Sequence, residues 1–88
     1  MIESASLLHG QLHGLSEGWE VAVAFLSNPE VDGKPLYVDL LVVAPDGREQ
    51  VTTLHPGDRF LIGTHTWQVC EIDGLGTYDY TVRIAMVK

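Results

Sequence analysis

The chain lacks most of the features from which a function is usually read. It has one cysteine, Cys70, among 88 residues. No disulfide can form within the chain, and a single thiol fits a reducing compartment. Basic residues are scarce: 5 against 12 acidic ones, for a net charge of −7. Lys34, Arg48, Arg59, Arg83 and Lys88 are scattered. No basic stripe is available to neutralise phosphates, which argues against nucleic-acid binding. The same sign disfavours anionic membrane surfaces. No stretch approaches the ~20 consecutive apolar residues of a membrane-spanning helix. Met1-Ile2-Glu3-Ser4 offers neither the positive nor the apolar region of a secretory signal. The expected location is the cytoplasm. No repeat, linker, low-complexity tract or useful helical periodicity is visible.

What is present is alternation. Hydrophobic residues make up 45% of the chain, enough for a folded core rather than a disordered chain. The length gives a single domain, residues 1–88. A domain this small has a thin core that a partner subunit often reinforces. A homodimer is therefore the expected state.

Residues 5–13 read as a first strand with Leu8 and Leu12 on one face and Leu7 out of phase. A turn follows at 14–18; a single helical turn is compatible with the residues around Ser16-Glu17 or around Pro29-Glu30. Residues 19–26 alternate cleanly, with Trp19, Val21, Val23 and Phe25 on one side. Ser27 through Pro35 is a loop. The nearly unbroken apolar run 36–43 predicts a central strand covered on both faces. Ala44-Pro45-Asp46-Gly47 turns the chain into a more polar strand at 48–54, and Pro56-Gly57-Asp58 turns it again. Phe60 and Ile62 share a face of the next strand. In 65–72 the apolar parity switches between Val69 and Cys70, as a β-bulge would make it do, with burial on both faces as the alternative. Residues 78–87 close the chain, with Tyr78, Tyr80, Val82, Ile84 and Met86 on one side. About seven short strands at this spacing predict an all-β fold, an antiparallel β-sandwich or a small open β-barrel.

Candidate chemistry is sparse. On a strand, His9 and His13 stand about 13 Å apart, too far to share one ion. His55 and His65 could meet across a predicted hairpin, with Asp58 in the intervening turn, but they form an incomplete ligand set. Neither a metal nor a cofactor is expected. Cys70, amid Val69 and Ile72, reads as a small core hydrophobe rather than a thiolate. Asp39 reads as the solvent-facing residue of an edge strand, with an interior pairing to Arg83 as the alternative. Gly74-Leu75-Gly76 matches no phosphate-binding pattern. No catalytic constellation emerges. Trp19 and Tyr78 lie at strand ends, where aromatic residues suit a pocket or an interface.

The stretch Leu54-His55-Pro56-Gly57-Asp58-Arg59-Phe60-Leu61-Ile62-Gly63, continued by Thr66-Trp67-Gln68-Val69 and Ile72-Asp73, resembles the C-terminal half of small uncharacterised all-β proteins of actinobacteria. There a Gly-Asp corner precedes a short strand and a Thr-Trp pair opens the next. The likeness spans residues 51–87. It implies a stand-alone bacterial β-domain of the cytoplasm and carries over no function.

Three functional classes follow. The first is a non-enzymatic binding or accessory module that presents a sheet face or edge to a protein or small ligand. The second is a small barrel enzyme or carrier whose mouth gathers His55, Asp58, His65 and Tyr78. The third is an acidic inhibitor or immunity-type protein for a basic partner, with Glu17, Glu20, Glu30 and Asp32 as its acidic face. The candidate binding residues are Trp19, His55, Asp58, His65 and Tyr78.

Overall fold

In the computed structural model the chain forms a β-sandwich of two four-stranded antiparallel sheets. The described residues are 4–8, 10–27, 33, 35–74 and 80–87. The strands are β1 Ser4–Leu8, β2 His13–Gly14, β3 Glu20–Leu26, β4 Val38–Val43, β5 Glu49–Leu54, β6 Arg59–Ile62, β7 His65–Asp73 and β8 Thr81–Val87. Sheet I has the order β1-β8-β7-β6, and sheet II the order β2-β3-β4-β5. Read around the molecule, this is the cyclic order of an up-and-down barrel. Two seams keep it open, because β1 does not pair with β2 and β5 does not pair with β6. The barrel alternative is thereby corrected to a sandwich. The eighth strand is β2, a two-residue piece.

Alternation places the core between the sheets. Leu7, Val21, Leu40, Trp67, Val82 and Ile84 are almost fully buried there. Each such side chain stabilises the fold by about 1.5–3 kcal/mol. Tyr80, just before β8, and Val82 and Ile84 within it point inward and Arg83 outward, as the alternation predicts. Tyr78 lies outside the described residues.

Five local expectations are corrected. The first strand ends at Leu8 rather than His13, because the chain turns at Gly10 (φ +72°) and crosses to the other sheet. Its parity is also reversed: Ala5 and Leu7 face inward opposite Ile84 and Val82, and Leu8 is exposed. In β3 the register slips between Val23 and Phe25. Ala24 is the extra residue, so Leu26 packs on the core and Phe25 turns out to solvent. Strand β4 is central, but only Val38, Leu40 and Val42 are buried, and its other face is half-covered. Asp39 therefore faces solvent from a central strand rather than an edge strand. Its Oδ1 accepts a hydrogen bond from Thr53 Oγ1 at 2.6 Å, while Arg83 pairs with Glu71, its cross-strand partner in sheet I.

The predicted β7 bulge is present, between Val69 and Glu71. Its extra residue is Cys70, which is exposed. The core reading of Cys70 is thus overturned: the bulge spends one residue outside the ladder so that Ile72 can return to the core.

The turns obey local chemistry. Ala44–Arg48 forms a three-residue hairpin loop in which Gly47 N–H donates to Ala44 O at 2.9 Å and Ala44 N–H to Arg48 O at 2.8 Å. Gly47 takes φ +90°, which a residue with a side chain adopts only at a cost. The expected turn near Ser16 is a short 3-10 turn, Ser16–Gly18; Pro29-Glu30 lies outside the described residues.

Candidate functional site

Trp19 sits at the end of the sandwich where β6 turns into β7. Strands β5 and β6 leave a common turn, 55–58, and run to opposite sheets. Their far ends are Glu49 and Ile62. The β6–β7 turn begins there with Gly63, and the Trp19 indole packs on its backbone. The indole is half-buried and rests on the core.

Between Trp19 and the β4–β5 hairpin lies an open cleft of about 360 Å³. Trp19, Val42 and Ala44 give it an apolar floor, and Arg48, Glu49 and Gln50 form its rim. Val42 and Gln50 are cross-strand partners on the inward side of sheet II. Gln50 is nevertheless exposed, at the rim of the cleft. The Arg48 guanidinium is exposed and bonds Asp46 through Nε at 2.7 Å. The Arg48 backbone N–H holds the Asp46 carboxyl below its ordinary value.

The other sequence candidates do not converge on this cleft. His55 and Asp58 are brought together: the His55 N–H donates to Asp58 Oδ2 at 2.8 Å, and its Nδ1 lies 3.3 Å from the same oxygen. That N–H holds the Asp58 carboxyl below its ordinary value. The pair closes the β5–β6 turn, which is further stitched to β7 by Gly57 N–H to Val69 O (2.8 Å) and Val69 N–H to Asp58 O (3.0 Å). His65 lies elsewhere, opposite Ile62 at the turn end of the β6–β7 hairpin. His55 is beyond the open end, at least about 13 Å along the strand direction. An antiparallel hairpin turning at Gly63-Thr64 cannot unite them, so the expected His55–His65 meeting is corrected. Among the described residues no group of three or more His, Cys, Asp or Glu side chains could hold a metal ion. No helix among them is long and apolar enough to cross a membrane.

The two outer faces differ in where their exposed apolar side chains lie: on sheet I, Leu8 and Leu61 (47% and 68% exposed) stand apart on the two edge strands β1 and β6. On sheet I, Ser6, Arg83 and Glu71 fall in one cross-strand row, and Gln68 lies between Arg59 and Ala85 in another. On sheet II the central row is Ala22, Leu41 and Val51. Val51 and Phe25, 57% and 50% exposed, lie in this row and the next on the two strands adjoining β4. The Phe25 ring lies 5.9 Å from that of Tyr37. Glu20, Asp39 and Glu49 share this face, which among the described residues carries no base. Of the acidic face expected from sequence, Glu30 and Asp32 lie outside the described residues. Arg48, Gln50 and the outward row of sheet II were missed by sequence reasoning. Only the solvent-side parity of Leu41 and Val51 could have signalled the row.

No family model, curated protein or solved structure significantly matches the chain. The functional reading rests on geometry.

Proposed function

We propose that the protein is a non-enzymatic binding module of the cytoplasm that works as a homodimer, joined through the outer face of sheet II. The observation that carries this reading is the contrast between the two outer faces. The outer face of sheet I carries the Arg83–Glu71 pair on its two central strands and keeps its exposed leucines, Leu8 and Leu61, apart on its two edge strands. The other exposes Phe25 and Val51 around Leu41. A regular, twisted sheet face is matched in shape by another such face, as the two sheets of the sandwich already match each other. A second copy supplies that shape by twofold symmetry. Four strands give a face roughly 20 Å across. With strands of about six residues its area is roughly 400 Å², small beside the ~800 Å² per partner of a standard interface, so a weak dimer is expected.

Glu20, Asp39 and Glu49 set the salt dependence. Two copies bring like charges together, so added salt strengthens the dimer. A basic partner on the same face would respond in the opposite way. That second reading is favoured by the absence of any base among the described residues of this face.

Sedimentation equilibrium from 5 to 200 µM protein tests the proposal. A mass that rises toward twice 9.7 kDa, more readily at high salt, is the expected result. Val51→Glu, at an exposed position, should return the monomer without loss of fold. A wild-type monomer throughout the range, or a dimer indifferent to Val51→Glu and Leu41→Glu, overturns it.

A further inference from the structure

The open edge of sheet II and the Trp19 cleft adjoin each other, and together they form a second surface, which uses the backbone edge of β5 where the apolar face uses its outward side chains. Strand β5 is the edge. It pairs with β4 in unbroken register over six residues, without a bulge. Its sequence, Glu-Gln-Val-Thr-Thr-Leu, contains no proline or lysine, the residues that usually guard an exposed edge. The Ala44 N–H to Arg48 O bond fixes the phase of the ladder. Counting from it by twos, Gln50, Thr52 and Leu54 direct their N–H and C=O groups toward β4. Glu49, Val51 and Thr53 direct theirs away. Among the described residues no backbone hydrogen bond reaches that side.

We infer that this edge takes up an extended peptide as a ninth strand, and that one aliphatic side chain of the peptide enters the Trp19 cleft. The register explains the pairing of edge and cleft. Val42 and Gln50 form a cross-strand row on the inward side of sheet II, and both line the cleft. An added strand extends that row by one residue, whose side chain lands beside Gln50 and over the apolar floor. Backbone bonds to Glu49, Val51 and Thr53 supply affinity, and the cleft supplies selectivity, as in other strand-addition sites. A cavity of about 360 Å³ is at the small end of ligand pockets and suits a single side chain.

A second copy of β5 is the poorer occupant. Its inward-side residues are Gln50, Thr52 and Leu54. The first two are polar, and Leu54 is 4% exposed in its own core. Self-pairing therefore offers the cleft no free aliphatic group.

The probe is a set of capped peptides, Lys-Thr-Thr-X-Thr-Thr-Lys, with X as Leu, Val, Ala, Glu or Lys. Binding is read from tryptophan fluorescence, in which Trp19 is the half-exposed reporter and Trp67 is buried. Saturable binding is expected for X = Leu and Val, at least fivefold tighter than for Ala and absent for Glu. Val51→Thr keeps the outward N–H and should bind normally. Val51→Pro removes that N–H but no bond to β4, and should lose at least tenfold in affinity. Ala44→Leu, which fills the floor, should abolish the preference for Leu over Ala. No binding up to millimolar peptide, equal binding for every X, or a Val51→Pro protein that is folded by circular dichroism and binds like wild type would each overturn the inference. The mass of every variant is measured alongside, so that loss of the dimer is distinguished from loss of the peptide site.

Discussion

A Cβ placed on Gly63 would stand 3.2 Å from each of three indole atoms of Trp19. The indole and that glycine turn close one end of the sandwich by direct contact between a rigid ring and bare backbone. Gly63 is also the first central residue of a two-residue hairpin loop and takes φ +63°. Glycine at that position gives the turn whose twist matches the flanking strands. Two demands, one steric and one conformational, thus fall on one residue.

Gly63→Ala should therefore cost more than Gly47→Ala. Both positions have positive φ, but a Cβ at Gly47 meets open space. The left-handed backbone alone costs an alanine about 1–2 kcal/mol. Gly47→Ala is expected to lose that amount. Gly63→Ala is expected to lose roughly 1 kcal/mol more, because a ring cannot yield as a flexible chain end can. Urea unfolding followed by circular dichroism checks the difference. Equal losses at the two sites would mean that the indole moves aside freely.

Ser27 is fully buried. Its N–H donates to Tyr37 O at 3.0 Å, and its Oγ accepts from the Tyr37 N–H at 2.8 Å. The pair ties the end of β3 to the approach of β4. Ser27→Ala leaves the Tyr37 N–H without its acceptor, so a loss of about 1–3 kcal/mol is expected in the same unfolding experiment. Ser27→Thr retains the hydroxyl and should recover most of it, provided the extra methyl fits.

The fold class was legible because alternation survives wherever one face is wet and the other dry, and β6 and β8 follow it residue by residue. Bulges were only half legible. At Cys70 two apolar parities collide in the sequence and announce the slip. At Ala24 the residues Ala22, Ala24 and Leu26 are themselves apolar, so Phe25 reads as core although the ladder turns it outward. Leu7 and Leu8 are ambiguous for a related reason: two leucines in succession do not say which one meets Val82, and only pairing with β8 decides. The cleft was not legible beyond Trp19. It lies between Trp19 and the β4–β5 hairpin, elements far apart in the chain, and so is a property of no single segment.

Charge makes stability depend on pH at both ends of the range. The folded protein holds the Asp46 and Asp58 carboxyls below the ordinary aspartate value, chiefly through backbone N–H donors at Arg48 and His55. Their contribution is present above the ordinary value and is lost as the pH falls through the lowered folded values. Burial acts on Tyr80 in the opposite sense, raising its hydroxyl above the ordinary 10.0. That contribution is complete below 10.0 and is lost as the pH rises from there through the folded value. Urea midpoints across pH should therefore decline at both extremes. Asp58→Asn keeps an oxygen to accept the His55 N–H, and should flatten the acid limb. Tyr80→Phe should flatten the alkaline limb. An unchanged acid limb in Asp58→Asn would assign the effect to other carboxylates.

Cys70 reports on the bulge that carries it. Its thiol is exposed, with Sγ 3.7 Å from Gln68 O, and a thiol reagent should reach it in the folded protein. Cys70→Ser should change stability by no more than about 0.5 kcal/mol, as expected of an exposed position. Deleting residue 70 removes the extra residue but leaves Val69 opposite Ile84 and Glu71 opposite Arg83. The shortened strand should fold with the same residues inward. Deleting Gln68 instead restores regular alternation only by turning Val69 outward and Cys70 inward. Val69 is fully buried in the native strand, so that deletion should cost about 1.5–3 kcal/mol beyond the first. It should also slow thiol labelling at least tenfold while the protein stays folded. Equal labelling rates in wild type and the Gln68 deletion would show that the strand absorbs the missing residue elsewhere, and that the register of β7 is not set by Val69 and Ile72.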